Sequence, residues 1–278
     1  MEQLKSPLWD SHIHVFPPRM MKAVFAYFQQ RYQWKLPFPE DPESLLRILK
    51  DDGVEKAFTL AYSHKPGISR QMNRWLADFC SSHSWIVPFG AVHPLDPDLP
   101  EVVAECFEQY HFPGMKIHCL VQQCRPDNEK LYPLYETALD RCKGIVMHAS
   151  SFPQPVQEHL GIKYVTRLLK RFPGLNLIIP HLGLYDLKLY HDLLNEYEGL
   201  YLDTAFVFQN RGFMPPLEEV SEALLAFPDR IIYGSDYPLI LEPPRNGINR
   251  ILELGLPEDI YDRIFYQNAA SFLSRIAE

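Results

Sequence analysis

The sequence predicts a (β/α)8 barrel, the TIM-barrel class of α/β folds, as a single domain over residues 1–278. Three observations predict it. Eight short apolar, β-rich runs recur with start-to-start spacings of 24 to 46 residues, which leaves room for the crossover helix that a parallel strand needs. Several of the intervening stretches carry apolar residues at helical period. The length of 278 residues suits a barrel domain of about 250 residues.

The eight runs are residues 8–15, 54–62, 86–94, 112–120, 144–150, 176–183, 200–206 and 231–238. Leu177-Ile178-Ile179 and Ile231-Ile232-Tyr233 are continuously apolar, as strands buried on both faces are. Between runs, Val103, Cys106, Phe107 and Tyr110 form one helical stripe. Leu131, Leu134, Tyr135, Ala138 and Leu139 form a second, and Val165, Leu168, Leu169 and Phe172 a third. Pro257-Glu258-Asp259 reads as a helix start, with acids at the positive end of the dipole. That helix is expected to run to about Ile276. Pro-rich stretches at 93–100, 153–155, 215–216 and 243–244 read as loops. Residues 16–40 form a long aromatic insertion carrying Phe25, Tyr27, Phe28, Tyr32 and Trp34. It reads either as a lid over the barrel mouth or as an extra helix packed on the barrel.

Composition narrows the partners. The net charge of −8 and the absence of a basic cluster argue against nucleic acid. No run is long enough to span a membrane, and Met1–Leu8 shows no signal-peptide core. The five cysteines form no C-x-x-C pair, which suits reduced thiols. A cytoplasmic protein is expected. Nothing marks an oligomer interface, although a homodimer is compatible with the fold.

In a barrel of this class the active site lies at the C-terminal ends of the strands. The reactive side chains of this chain fall there. The first run ends in Asp10-Ser11-His12-Ile13-His14. Strand residues two apart share a face, so both imidazoles converge, with Asp10 on the same face. Such a pair suits Zn²⁺ or a related divalent ion. Lys116 and His118 end the fourth run, His148 the fifth, His181 the sixth and Asp236 the eighth. A buried lysine or aspartate is costly unless paired or metal-bound. Asp203 and Thr204 end the seventh run. Tyr62, His64 and Lys65 follow the second run, and His93 follows the third. Arg211 and Arg245 lie on the loops after the seventh and eighth. His64, His93, His118, Arg211 and Arg245 are candidate substrate contacts, the arginines suiting a carboxylate.

Asp10-Ser11-His12-Ile13-His14, Pro180-His181-Leu182-Gly183, Gly234-Ser235-Asp236-Tyr237-Pro238 and the closing Ile264-Phe265-Tyr266-Gln267-Asn268-Ala269-Ala270 resemble the amidohydrolase superfamily. The likeness is to its amidohydrolase-related branch, which includes aminocarboxymuconate semialdehyde decarboxylase, and runs from residue 9 to about 274. It implies that His12, His14 and Asp236 hold a divalent metal, most simply zinc, with His148 completing the shell. It implies that His181 is a second-metal ligand or the general acid/base. Asp236 would take a proton from the attacking water. Lys116 would bridge two metals if carbamylated. A single zinc, with unmodified Lys116 touching substrate or transition state, is slightly favoured, because the decarboxylase relatives use one metal without a strand-four lysine. The leading expectation is hydrolysis of a C–O or C–N bond in a small carboxylated, anionic substrate. Non-oxidative decarboxylation is the alternative. A TatD-type nuclease is disfavoured by Lys116, where those relatives carry glutamate, and by the acidic net charge. A binding scaffold that has lost catalysis is disfavoured because no expected ligand is missing.

Overall fold

Eight parallel strands pair in strict sequence order. They are β1 (Leu8–Ile13), β2 (Val54–Leu60), β3 (Ile86–Ala91), β4 (Gly114–His118), β5 (Gly144–His148), β6 (Asn176–Ile179), β7 (Leu200–Asp203) and β8 (Ile231–Ile232). The structure is a computed structural model and describes residues 6–150, 158–209 and 214–277. The ring is closed between its first strand and the segment after its last. The Ser11 amide donates to the Tyr233 carbonyl at 2.9 Å, and the His14 amide to the Tyr237 carbonyl at 2.7 Å. The Asp236 amide returns a bond to the His12 carbonyl at 2.9 Å. This is the (β/α)8 barrel that the spacing predicts.

Strand alternation divides the apolar residues into two sets. Met115, Ile117, Ile145, Met147, Leu177, Ile179, Leu200 and Leu202 face outward, into the main core beneath the helices. Phe58, Leu60, Phe89, Val146, Ile178, Tyr201 and Ile232 face inward. There they meet Ala269, Phe272 and Ile276 of the closing helix, which plug the floor of the barrel. Polar side chains from the same inward positions, one step further along the strands, stand on that apolar floor. Alternation thus places Lys116, His148 and Asp203 at one end of the ring, above the apolar floor.

The predicted runs overreach at their C-terminal ends. Run 231–238 is strand only at Ile231–Ile232, and run 176–183 only at Asn176–Ile179. The cause is local. His181 (φ 61°), Leu182 (φ 51°) and Asp236 (φ 71°) take left-handed backbone angles, which end strand pairing and turn the functional side chains inward. The closing helix starts after Pro257 as expected and passes through a π-helical turn at Arg263–Gln267. Loop 215–216 caps the helix Leu217–Ala226, while Pro244 begins a helix of its own. The 153–155 loop lies outside the described residues.

The 16–40 insertion contains the helix Pro18–Tyr32, ended by a left-handed Gln33. Met21 and Phe25 are buried against the barrel. Trp34 stacks on Phe206 beyond β7, with ring centres 5.7 Å apart. The insertion therefore reaches from the end of β1 to the loop after β7. No helix among the described residues is long and apolar enough to cross a membrane. All five cysteines are free, and only Cys142 is exposed.

Candidate metal centre

His12 and His14 come from the end of β1, and Asp236 from the turn after β8. Their ligand atoms converge within 4.8 Å of one another. His12 Nε2 lies 3.2 Å from His14 Nε2, and His14 Nε2 lies 3.0 Å from Asp236 Oδ1. Gly234 allows this approach, because a Cβ there would come within 2.7 Å of His12 Cβ.

The outer nitrogens decide what this convergence means. His12 Nδ1 lies 2.7 Å from the Asp203 carboxylate, and His14 Nδ1 lies 2.9 Å from the Leu60 carbonyl. His181 Nδ1 lies 2.8 Å from the Ala205 carbonyl. Carbonyls and carboxylates only accept, so each Nδ1 carries its proton. The Nε2 atoms of His12 and His14 therefore face each other beside Asp236, and His181 Nε2 faces His148 Nδ1. Two lone pairs 3.2 Å apart, with a carboxylate oxygen beside them, need a cation at their centre. A divalent metal there would meet both nitrogens and the carboxylate at once. The donor set of two imidazoles and a carboxylate, each imidazole fixed from behind, fits such an ion.

Electrostatics agree. Burial holds His12 well below the ordinary imidazole range, and nearby Lys116 lowers it further. Burial does the same for His118, reinforced by Lys116, and for His148, reinforced by His118. Neutral imidazoles are the metal-binding form. Burial alone would raise the Asp236 carboxyl, but the His14 contact and the neighbouring imidazoles outweigh it and leave it below the usual carboxylate value.

His148 stands outside the triad. Its Nδ1 lies 3.0 Å from His181 Nε2, and its own Nε2 is buried without a partner. These two form a second convergent pair. Lys116 is fully buried on the inward face of β4, and its Nζ has no hydrogen-bond partner. Burial lowers it to about 8, against the pull of Asp203 and Asp236. His118 caps the short helix after β4, accepting from the Val121 amide at 3.4 Å. Its ring stacks on His148 at 4.2 Å and leans on Tyr62 at 4.6 Å.

Among the described residues, no other expected residue joins the group of His12, His14 and Asp236. Asp10 does not join the ligand group. A register irregularity between Asp10 and Ile13 breaks the period-two alternation, and Asp10 Oδ1 accepts from the His12 and Ser235 amides at 3.1 and 3.0 Å. Its work is to hold the backbone beneath the ligands. Arg245 is also not brought to the site. It pairs with Asp52 at 3.1 Å, in the turn before β2 and so near that strand's opposite end. His64 is exposed after β2. His93 is buried, and its Nδ1 accepts from the Leu95 amide at 3.1 Å. Arg211 lies outside the described residues.

Two contributors have little or no signature in the sequence. Gln122 donates to the Ser63 and Val92 carbonyls at 3.1 and 2.6 Å and accepts from the His118 amide at 3.0 Å. It thereby ties together the loops after β2, β3 and β4. Asp96 gathers the Gly67 and His93 amides and the Ser69 hydroxyl. A lone glutamine at the end of a four-residue helix carries no sequence signal. The His93-Pro94-Leu95-Asp96-Pro97 turn carries a weak one.

The amidohydrolase family model matches residues 9–275. This chain belongs to the amidohydrolase family. Members of that family are metal-dependent enzymes. No curated protein matches this amidohydrolase. Among solved structures it resembles an uncharacterized TIM-barrel protein from Bordetella bronchiseptica, at 18% identity and a TM-score of 0.78, covering 98% of this chain and 100% of that one. It also resembles 2,6-dihydroxybenzoate decarboxylase, at 15% identity and a TM-score of 0.72, covering 98% and 99%. A third is 5-carboxyvanillate decarboxylase from Novosphingobium aromaticivorans, at 13% identity and a TM-score of 0.72, covering 98% of both chains. That structure holds manganese and 3-methoxy-4-hydroxy-5-nitrobenzoic acid.

Proposed function

We propose that this amidohydrolase is a metal-dependent hydrolase acting on a C–O or C–N bond of a small, flat, anionic substrate. The observation that carries the reading is the set of bare Nε2 atoms of His12 and His14 facing each other across 3.2 Å beside Asp236. His12, His14 and Asp236 would hold a divalent ion, zinc or manganese, which when bound would supply Lewis acidity toward water and a carbonyl. The protein's own groups do the rest. Asp236 accepts the proton of the attacking water and passes it to the leaving group. His181, at the next strand end, stabilises the developing negative charge or joins a second ion.

The pairing of His148 Nδ1 with His181 Nε2 at 3.0 Å supports a second divalent position. Lys116 is suited to bridge it as a carbamate. Carbamylation needs a neutral amine, and burial has already lowered this one to about 8. This departs from the single-zinc expectation. The surroundings of His14 are aromatic: Phe16 stacks on it at 5.9 Å, and Tyr62 stands edge-on to both. With Trp34 on Phe206, the 16–40 segment supplies a cover that selects flat substrates.

Decarboxylation is the second reading, favoured by the fold shared with two aromatic-acid decarboxylases. The metal-loaded protein should be offered a panel of aromatic carboxylates that also carry lactone, ester or amide bonds. Acid release without CO₂ is the expected outcome. CO₂ release would establish the second reading. Neither, from fully loaded protein, would overturn both.

A further inference from the structure

One buried carboxylate touches both halves of the site, and the proposed reaction gives it no step. Asp203 ends β7 and is fully buried. Its Oδ2 lies 2.7 Å from His12 Nδ1. Its Oδ1 accepts from the His181 amide at 3.0 Å and from the Ala205 amide at 2.9 Å. The first bond fixes which nitrogen of His12 carries the proton. The other two hold the backbone where His181 takes its left-handed φ of 61°.

We infer that Asp203 is the positioning residue of this centre, locking His12 in the Nδ1–H tautomer and seating the His181 turn with the same carboxylate. The inference rests on the reading of His12 as a metal ligand. Its logic is tautomeric. A metal can take the Nε2 lone pair of His12 only while the proton sits on Nδ1. Among the described residues, Asp203 is the acceptor within hydrogen-bond distance of that proton. Two backbone N–H groups hold Oδ1, which leaves Oδ2 turned to His12 Nδ1. His14 and His181 rely on backbone carbonyls for the same service, which no side-chain substitution removes. His12 is thus the one imidazole of the three whose tautomer a single substitution can invert.

Asp203→Asn separates the two duties. The amide oxygen can still accept from the His181 and Ala205 amides, so the turn keeps its support. The amide nitrogen then faces His12 Nδ1 and donates to it. That drives the imidazole proton to Nε2, where the metal must bind. The variant is nearly isosteric, yet it should disable the ligand rather than the fold.

The test has two readouts, neither of which is turnover. The first is the ¹⁵N–¹H imidazole spectrum of the chelator-stripped protein. Wild type should show His12 protonated on Nδ1, and Asp203→Asn should show it protonated on Nε2. The second is competitive titration of Zn²⁺ or Mn²⁺ into both proteins, in which the variant should bind roughly 10- to 100-fold more weakly. A wild-type His12 protonated on Nε2 would overturn the inference outright. So would an unchanged tautomer and unchanged metal affinity in a folded variant. If Asp203→Asn does not fold, the wild-type spectrum still decides. A wild type that binds no metal but shows the Nδ1–H tautomer would sink the functional reading while leaving the positioning role of Asp203 in place.

Discussion

Asp10 offers a quantitative check on the frame beneath the ligands. Its carboxyl is fully buried, and one oxygen, Oδ2, has no partner. Burial raises it from 3.8 to about 7, although the Ser235 and His12 amides lower it in part. The folded-state value lies above the unfolded one, so the fold prefers the protonated acid. The stability this contributes is complete below about pH 4 and is lost as pH rises through about 7. At about 1.4 kcal/mol per unit, the full cost of ionising Asp10 in place is about 4 kcal/mol. Between about pH 5 and about pH 8 the difference is about 3 kcal/mol. Asp10→Asn keeps the acceptor oxygen and cannot ionise. Urea unfolding of chelator-stripped wild type and variant, each near pH 5 and near pH 8, isolates this cost as a double difference. The variant should gain about 3 kcal/mol relative to wild type on going to the higher pH. Parallel pH dependences in the two proteins would refute the buried, proton-holding Asp10.

Three further perturbations address other parts of the structure. Phe272→Ala removes the plug that meets Phe58, Phe89 and Tyr201 at the barrel floor. It should cost about 3–5 kcal/mol in denaturant unfolding, and a cost under about 1 kcal/mol would show a floor that closes without it. Lys116→Met removes the proposed carbamate bridge, so added bicarbonate should raise metal content in the wild type and leave this variant unchanged; an equal rise in both would exclude the bridge. His14→Ala takes one bare nitrogen from the triad, and competitive titration should show loss of the tighter metal-binding event, whereas unchanged affinity would remove His14 from the ligand set.

How much of this was legible beforehand follows from what each feature depends on. The barrel was legible because buried parallel strands are continuously apolar and recur at spacings that leave room for a crossover helix. Convergence of His12, His14 and Asp236 was legible because barrel geometry brings strand ends together whatever the loops do. Asp10 was misplaced because period-two alternation assumes an unbroken strand, and the irregularity between Asp10 and Ile13 interrupts it. Arg245 read as a cationic rim because its partner Asp52 lies 193 residues away in sequence. Asp203 was visible only as a strand-end acid. Its hold on His12 and His181 depends on β7 lying between β6 and β8 in a closed ring, and on the direction of one imidazole. No local pattern encodes either.

The most direct test of the account is the metal content per chain of protein purified without chelator and with bicarbonate present. Two equivalents of divalent metal are expected, falling to one when Lys116 is replaced by methionine. One equivalent in the wild type would confine the ion to His12, His14 and Asp236 and shift the chemistry toward decarboxylation. No bound metal, even after zinc or manganese is added back, would contradict the central claim that these bare imidazole nitrogens surround a cation.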